Sequence, residues 1–230
     1  MISRYRLAEI AALFGDPTRA AIVTSLWDGR ARAAGELARG AGVTPATASE
    51  HLSRLVSGGV LRVEPCGRHR YFRIAGPGVA DALETLAQLL SPRATSEADG
   101  ASEPLARARM CYDHVAGRLG VSITKALLAR RLLKWREQAL TLSAPGRHWF
   151  GRLGVDVGAL ERDRRPLLRG CLDWTERREH LGGALGAALA THLLERDWVR
   201  RERGTRALLV TREGRSGLAG MLGSQVSADL

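Results

Sequence analysis

Cysteine is scarce in this chain. Three cysteines in 230 residues form an odd, sparse set that excludes a disulfide framework and leaves any special cysteine as a thiol or a metal ligand. Lysine is scarcer: 33 of the 35 cations are arginine, and only Lys125 and Lys134 are lysine, a compositional bias that carries little functional weight. No stretch approaches the roughly 18 uninterrupted apolar residues of a membrane span, and the opening MISRYRLAEI lacks the apolar core of a signal peptide. The expectation is a soluble, cytoplasmic protein with no membrane partner. A nucleophile elbow, a phosphate loop and paired catalytic carboxylates are also missing, so an enzyme is not expected. What the chain does have is an apolar fraction of 45%, enough for a real core, and a formal net charge of +11 that suits a polyanionic partner.

Composition divides the chain. ATSEADGASEPL, residues 94–105, is small and polar, with three acids and no cation, and reads as a linker. Before it, residues 1–93 carry 12 cations and 8 acids, net +4; after it, residues 106–230 carry 23 and 13, net +10. The more basic half is the second one.

In the first half the apolar spacing is helical. Leu7 to Phe14 suggests one helix; Asp16 before Pro17 caps a second that runs to Trp27; Ala34 to Ala38 is a short third. Thr44 caps a fourth, with Pro45 at its first position and Ala48, Leu52 and Leu55 on one face. The period then changes, and VLRVEPCGRHRYFRIA predicts two strands joined by a turn over Pro65 to His69, before Val79 to Leu90 returns to helix. Helices, a capped helix that begins with small polar residues and a basic hairpin follow the order of a winged helix-turn-helix. The fourth helix offers Thr44, Ala46, Thr47, Ser49 and Glu50 to base edges in a major groove. Arg54 and the hairpin's Arg68, His69 and Arg70 are placed to reach flanking phosphates.

GDPTRAAIV, GELARGAGVTPATASEHLSRLVSGGVL and GRHRYFRIA resemble the ArsR/SmtB family of bacterial winged-helix repressors over roughly residues 5–90. Asp16-Pro17-Thr18-Arg19, Ser49-x-His51-Leu52 and the segment Gly67 to Tyr71 carry the likeness. It implies a homodimer, formed by the first and last helices of the winged domain (Leu7 to Phe14 and Val79 to Leu90), that leaves a palindromic double-stranded operator when an effector binds. It also gives His51 a divided role, packing at the recognition helix and touching phosphate. The family's familiar metal boxes are missing: Ala33 to Gly42 contains no Cys or His, and Gly78 to Leu90 offers Asp81 and Glu84 but no His. Cys66, at the hairpin turn, reads as an incidental exposed thiol. Any sensing residues lie elsewhere.

The second half reads as two related units, about 106–156 and 166–225. HVAGRLGVSITKALLARRLL from His114 lines up without gaps on HLGGALGAALATHLLERDWV from His180, and LTLSAPGRHWF from Leu140 resembles LLVTREGRSGL from Leu208. The overall expectation is a mainly α protein with small β wings: an N-terminal winged helix-turn-helix and a C-terminal effector-sensing domain of two winged-helix-like repeats. Cys111-Tyr-Asp113-His114 opens the first copy and Cys171-Leu-Asp173-Trp174 the second. Were Cys111 to His114 helical, those two side chains would share a face, and pseudo-twofold packing would add Cys171: a soft site for Cd(II), Pb(II), Zn(II) or Cu(I). No cofactor is otherwise required. His180, nine residues after Cys171, would lie about 13 Å away along a continuous helix and so falls outside the expected ligand set. Five alternatives stand beside the metal: buried cysteines and a repeated histidine that serve the structure alone, a redox-active dithiol, an organic effector among Trp135, Trp149, Trp174 and Trp198, a Cys111/His114 nucleophile and base, and a DNA binder with no effector.

Overall fold

A computed structural model of the chain describes residues 4–67, 69–89, 103–137, 139–163 and 165–228. Its contacts separate two units, residues 1–89 and 90–230. Of the predicted linker, 94–105, only the last three residues are described, and they begin a helix rather than continue a linker.

In the first unit, α1 (Arg4–Phe14), α2 (Pro17–Ser25), α3 (Ala34–Gly40), α4 (Pro45–Ser57) and α5 (Pro77–Leu89) accompany a sheet of β1 (Arg32–Ala33), β2 (Leu61–Cys66) and β3 (His69–Ile74). Local chemistry sets the helix starts. The Asp16 side chain accepts from the Arg19 amide at 2.9 Å, the Thr44 hydroxyl from the Thr47 amide at 3.2 Å, and a proline occupies the first turn behind each cap. Ile22, Leu26, Leu37, Leu52, Leu55 and Phe72 are among the buried side chains of the core. The sheet order is β1-β3-β2, with Arg32 opposite Phe72. Strand β1 has only two residues and no periodicity of its own; its pairing with β3 creates it, so the sequence pattern omits it. The hairpin is also tighter than predicted. Pro65 pairs with Arg70 and Cys66 with His69, which leaves Gly67, at φ +57°, to open the turn. Pro65 is tolerated because β2 is an edge strand.

The second unit opens with α6 (Glu103–Arg107). Next come β4 (Arg109–Cys111), β5 (His114–Ala116), α7 (Gly117–Ala129), β6 (Leu133–Arg136), β7 (Ala139–Leu142), α8 (Ala144–Arg152) and α9 (Val157–Glu161). The same order of hairpin, long helix, hairpin and two helices follows in β8 (Arg169–Leu172), β9 (Glu179–Gly182), α10 (Gly183–Glu195), β10 (Val199–Arg201), β11 (Leu208–Val210), α11 (Arg212–Leu222) and α12 (Gln225–Ala228). One core joins the two runs: Leu119, Ile123, Leu127 and Phe150 pack in the same cluster as Leu185, Leu189, Leu193 and Leu218.

Glycine permits the close approach of helix and hairpin. A Cβ on Gly120 would lie 2.3 Å from the Val115 carbonyl oxygen, and one on Gly186 2.5 Å from that of Leu181. Matching caps fix the later helices: Ser143 accepts from the Gly146 amide and donates to the Leu132 carbonyl, while Thr211 accepts from the Gly214 amide and donates to the Asp197 carbonyl.

Candidate nucleic-acid interface and candidate metal centre

Helix α4 is amphipathic in the sense a recognition helix requires. Ala48, Leu52 and Leu55 are buried, while Thr44, Ala46, Ser49, Glu50 and Arg54 are exposed and Thr47 is half-buried. The Thr44 and Thr47 hydroxyls lie 2.9 Å apart in a hydrogen bond, and Ser49 donates to the Pro45 carbonyl, which holds the short polar side chains close to the helix. His51 turns inward. Its Nδ1 lies 3.3 Å from Arg19 and 3.6 Å from Asp16, and Arg19 donates to the Leu13 and Ala12 carbonyls at the end of α1. The Asp16 to Arg19 motif is therefore a clamp on α1, α2 and α4, and of the two roles expected for His51 the geometry serves the packing one. On the hairpin, His69 and Arg70 are exposed, the Arg70 guanidinium 5.6 Å from the Phe72 ring centroid. Arg68 lies outside the described residues. Cys66 is exposed.

The second unit places its chemistry inside. Cys111 and His114 are not helical; they face each other across the β4–β5 hairpin, whose turn begins at Tyr112 with φ +59°. Cross-strand partners project on one face, so the shared face expected from a helix arises from a hairpin instead. Cys171 and His180 are likewise register partners, across β8 and β9. Nine residues of sequence fold back on themselves, which corrects the estimate that kept His180 away from Cys171. The loop between these strands is built by Asp173, which accepts from the Thr175 hydroxyl and from the Thr175 and Glu176 amides. Thr124 on α7 accepts from the Leu181 amide and so ties β9 to that helix beside His180.

Cys111, His114, Cys171 and His180 converge, all buried, with one ligand atom from each lying within 4.8 Å of every other. The two sulfurs are 3.9 Å apart and the imidazole centroids 5.0 Å. Sequence reasoning brought in the first three residues and missed His180. Its alignment with His114 was the available signal, masked by the assumption of a helix.

Carboxylates stand behind both histidines. His114 Nδ1 is 3.2 Å from Asp113, which Arg165 grips with both guanidinium nitrogens, and His180 Nδ1 is 3.7 Å from Asp173. Asp173 is fully buried, bonded to the Gly117 amide at 2.6 Å and to the fully buried Arg109 at 2.9 Å; the Arg109 guanidinium rests 4.8 Å from the Trp174 ring centroid. Burial alone would depress the His114 imidazole, yet Asp113 and Cys171 raise it to about 9. The Cys171 thiol is held far below its ordinary range, first by Cys111 and then, against burial, by the two histidines. Burial would raise Asp173, but Arg109, Thr175 and the backbone amides hold it well below the usual carboxylate range. The pocket therefore brings two sulfurs and two imidazoles together out of solvent, a donor set of the kind that could hold a metal ion.

The tryptophans of this unit stand in different surroundings among the described residues. Trp149 is buried and Trp198 packs on the core, while Trp135 borders an open groove of about 310 Å³. Among the described residues no helix is long and apolar enough to cross a membrane.

A helix-turn-helix domain family matches residues 14–64. Over 212 residues, 91% of this chain and 93% of the relative, the sequence is 39% identical to the HTH-type transcriptional regulator YdfF of Bacillus subtilis strain 168. An alignment of that length runs through both units. Among solved structures, the homodimeric winged helix-turn-helix DNA-binding domain of Mb0332 from Mycobacterium bovis is 31% identical, covering 37% of this chain and 78% of that one, at a TM-score of 0.34. The cadmium sensor CMTR of Mycobacterium tuberculosis is 30% identical, covering 42% and 98%, at 0.32.

Proposed function

Since the chain belongs to the HTH-type transcriptional regulators, we propose that it is a homodimeric repressor of the ArsR/SmtB winged-helix class whose first unit binds operator DNA and whose second unit senses a thiophilic metal ion. The observation that carries the DNA reading is the capped helix α4, polar outward and apolar inward, followed by a basic hairpin. Glu50 and its short polar neighbours address base edges, and Arg54, His69 and Arg70 the flanking phosphates. Exposed Tyr5, Leu7 and Ile10 on α1 and Leu86 on α5 supply the apolar surface for a dimer, whose two recognition helices would address half-sites about 34 Å apart. His51 acts as a positioning residue, through Arg19.

Metal uptake at Cys111, His114 and Cys171 favours a conformation with lower operator affinity. A coupling of about 2–3 kcal/mol, roughly 30- to 150-fold, makes a useful switch. The 3.9 Å separation of the sulfurs favours a second reading, in which an external oxidant takes two electrons and two protons from the thiols to form a disulfide. A cysteine enzyme fits poorly, because Cys111 and His114 are both buried.

The test uses the full chain with its thiols reduced, on an operator obtained by selection from random duplexes. Arg70→Ala is expected to weaken all sequences alike, whereas Glu50→Ala changes sequence preference. Zn(II) or Cd(II) is expected to lower operator affinity in the wild type and not in Cys171→Ser. Release by diamide, reversed by a thiol reductant and unaffected by metal, assigns the switch to oxidation. Unchanged affinity and preference in both DNA variants overturns the contact assignment.

A further inference from the structure

Resting on the metal-sensing reading above, we infer that His180 is the fourth ligand of a closed, tetrahedral N2S2 site for a d10 dication, Zn(II) or Cd(II), with Asp113 and Asp173 positioning the two imidazoles from behind. Each of two hairpins contributes one thiolate and one imidazole from register partners, Cys111 with His114 and Cys171 with His180. Bonds of about 2.0–2.1 Å to nitrogen and about 2.3 Å to sulfur give a tetrahedron with edges of roughly 3.3–3.8 Å. The sulfur–sulfur edge is already 3.9 Å and the largest separation 4.8 Å, so modest side-chain rotation closes the site.

An independent observation shows that something is owed to these residues. Nε2 of His114 and both ring nitrogens of His180 are buried without an oxygen or nitrogen hydrogen-bond partner, in side chains 8% and 0% exposed, and the polar neighbour left to the two rings is the Cys171 sulfur. Buried polar atoms are almost always satisfied, and a ligand is a common explanation where they are not. At His114 the Asp113 carboxylate occupies Nδ1 and leaves Nε2 for the ion, the arrangement that fixes a ligating imidazole's tautomer and ring angle. Asp173 stands 3.7 Å from Nδ1 of His180, close enough to take the same part after a small adjustment.

Charge selects the ion. Two thiolates and two neutral imidazoles sum to −2, and a dication leaves a site with no net charge, the least costly state for a buried cluster. Cu(I) would leave it negative. A trivalent metalloid that takes three thiolates finds two, because the third cysteine, Cys66, is exposed in the other unit. With four protein ligands the site keeps no open position for an activated water, so it suits a sensor or staple rather than a catalyst. Its ligands come from both runs of the second unit, so the ion joins the β4–β5 hairpin to the β8–β9 hairpin.

The experiment titrates the metal-stripped full chain, thiols reduced, with Co(II) as spectroscopic probe and then Zn(II) as competitor. The expected result is one ion per chain, the intense visible bands of tetrahedral Co(II) with thiolate charge transfer, and an X-ray absorption ligand count of two sulfurs and two nitrogens for Zn(II). His180→Ala and His180→Gln are expected to lose the tetrahedral spectrum and at least tenfold in Zn(II) affinity. Asp113→Asn loses about 10- to 100-fold with the spectrum retained, and Cys66→Ser changes nothing. An octahedral spectrum, or a His180→Gln protein with wild-type spectrum and affinity, overturns the inference. If the His180 variants do not fold, the ligand count in the wild type decides. A tetrahedral ion that leaves operator affinity unchanged upholds the site and removes the metal-sensing reading. Metal-dependent operator release that persists in Cys111→Ser and His180→Gln removes the site and moves sensing elsewhere.

Discussion

The two units use polar groups in opposite directions. In residues 4–89 the candidate chemistry faces solvent, on the outer face of α4 and on the hairpin, and the buried charges serve local construction: Arg19 closes the end of α1, and Asp28 holds Arg32 and the Arg30 amide. The second unit buries its chemistry. Arg109, Asp173 and His180 are all fully inaccessible, and Cys111, Cys171 and His114 nearly so. An outward arrangement suits a macromolecule that must dock from solution. An inward one suits a small ion, and it makes occupancy of the site felt by the packing around it. Net charge obscures this division, since the half with α4 carries +4 and the other +10.

The largest expected effect tests the inward unit's dependence on burial. Asp173→Asn leaves Arg109 without its countercharge in a site neither residue can expose, and removing one partner of such a pair costs about 3–5 kcal/mol. Asp28→Asn, whose partner Arg32 is 24% exposed, is expected to cost less than half as much in urea unfolding followed by tryptophan fluorescence. Equal losses would break the contrast. pH sharpens it. The folded-state pKa of Asp173 is depressed, by Arg109, Thr175 and the amides against burial, so its contribution is complete above the ordinary carboxylate pKa of about 3.9 and is lost as pH falls below it. The stability difference between wild type and Asp173→Asn should therefore shrink from pH 5 toward pH 2, and a constant difference would show that the charge is not what matters.

The next effect is one of space. Gly120→Ala and Gly186→Ala each push a methyl group to 2.3 or 2.5 Å from a backbone oxygen that cannot swing away, and each is expected to destabilise by about 1–3 kcal/mol. Gly40→Ala, in α3 with nothing within 4 Å of the added carbon, is expected to be neutral or to stabilise by about 0.5–1 kcal/mol. Thermal unfolding of the three variants makes the comparison. A Gly120 variant as stable as the wild type would mean that helix and hairpin are not packed as described.

How much of this was legible depended on how local its cause was. Asp16-Pro17 and Thr44-Pro45 announce helix starts because the cap and the proline act within four residues, and the outward face of α4 follows from the spacing of Ala48, Leu52 and Leu55. The convergence of Cys111, His114 and Cys171 was legible through the repeated sequence, although for the wrong local reason. A stretch as short as Cys111 to His114 has no period that separates helix from hairpin, and the turn at Tyr112 carries no glycine to mark it. His180 was lost to the same ambiguity, because the loop that returns it to Cys171 is organised by the side-chain bonds of Asp173 rather than by a turn motif. The Arg109–Asp173 pair spans 64 residues and leaves no trace in local pattern.

The smallest expected effect addresses charge directly. If the first unit alone meets the phosphates, removing one phosphate contact should lower the slope of log affinity against log salt by about 0.9 and leave folding stability unchanged. Arg70, exposed on the hairpin, is the residue for this change, and Arg152, exposed at the end of α8, is its counterpart in the more basic unit. Arg70→Ala is expected to reduce the slope and Arg152→Ala to leave it as it was, both measured by fluorescence anisotropy on the selected operator across a salt series. Equal reductions would mean that the second unit also rests on DNA, and its +10 would then be part of the binding surface rather than a general attraction. A slope unchanged in both would remove the hairpin from the interface while leaving the helix, whose contribution is read in sequence preference instead.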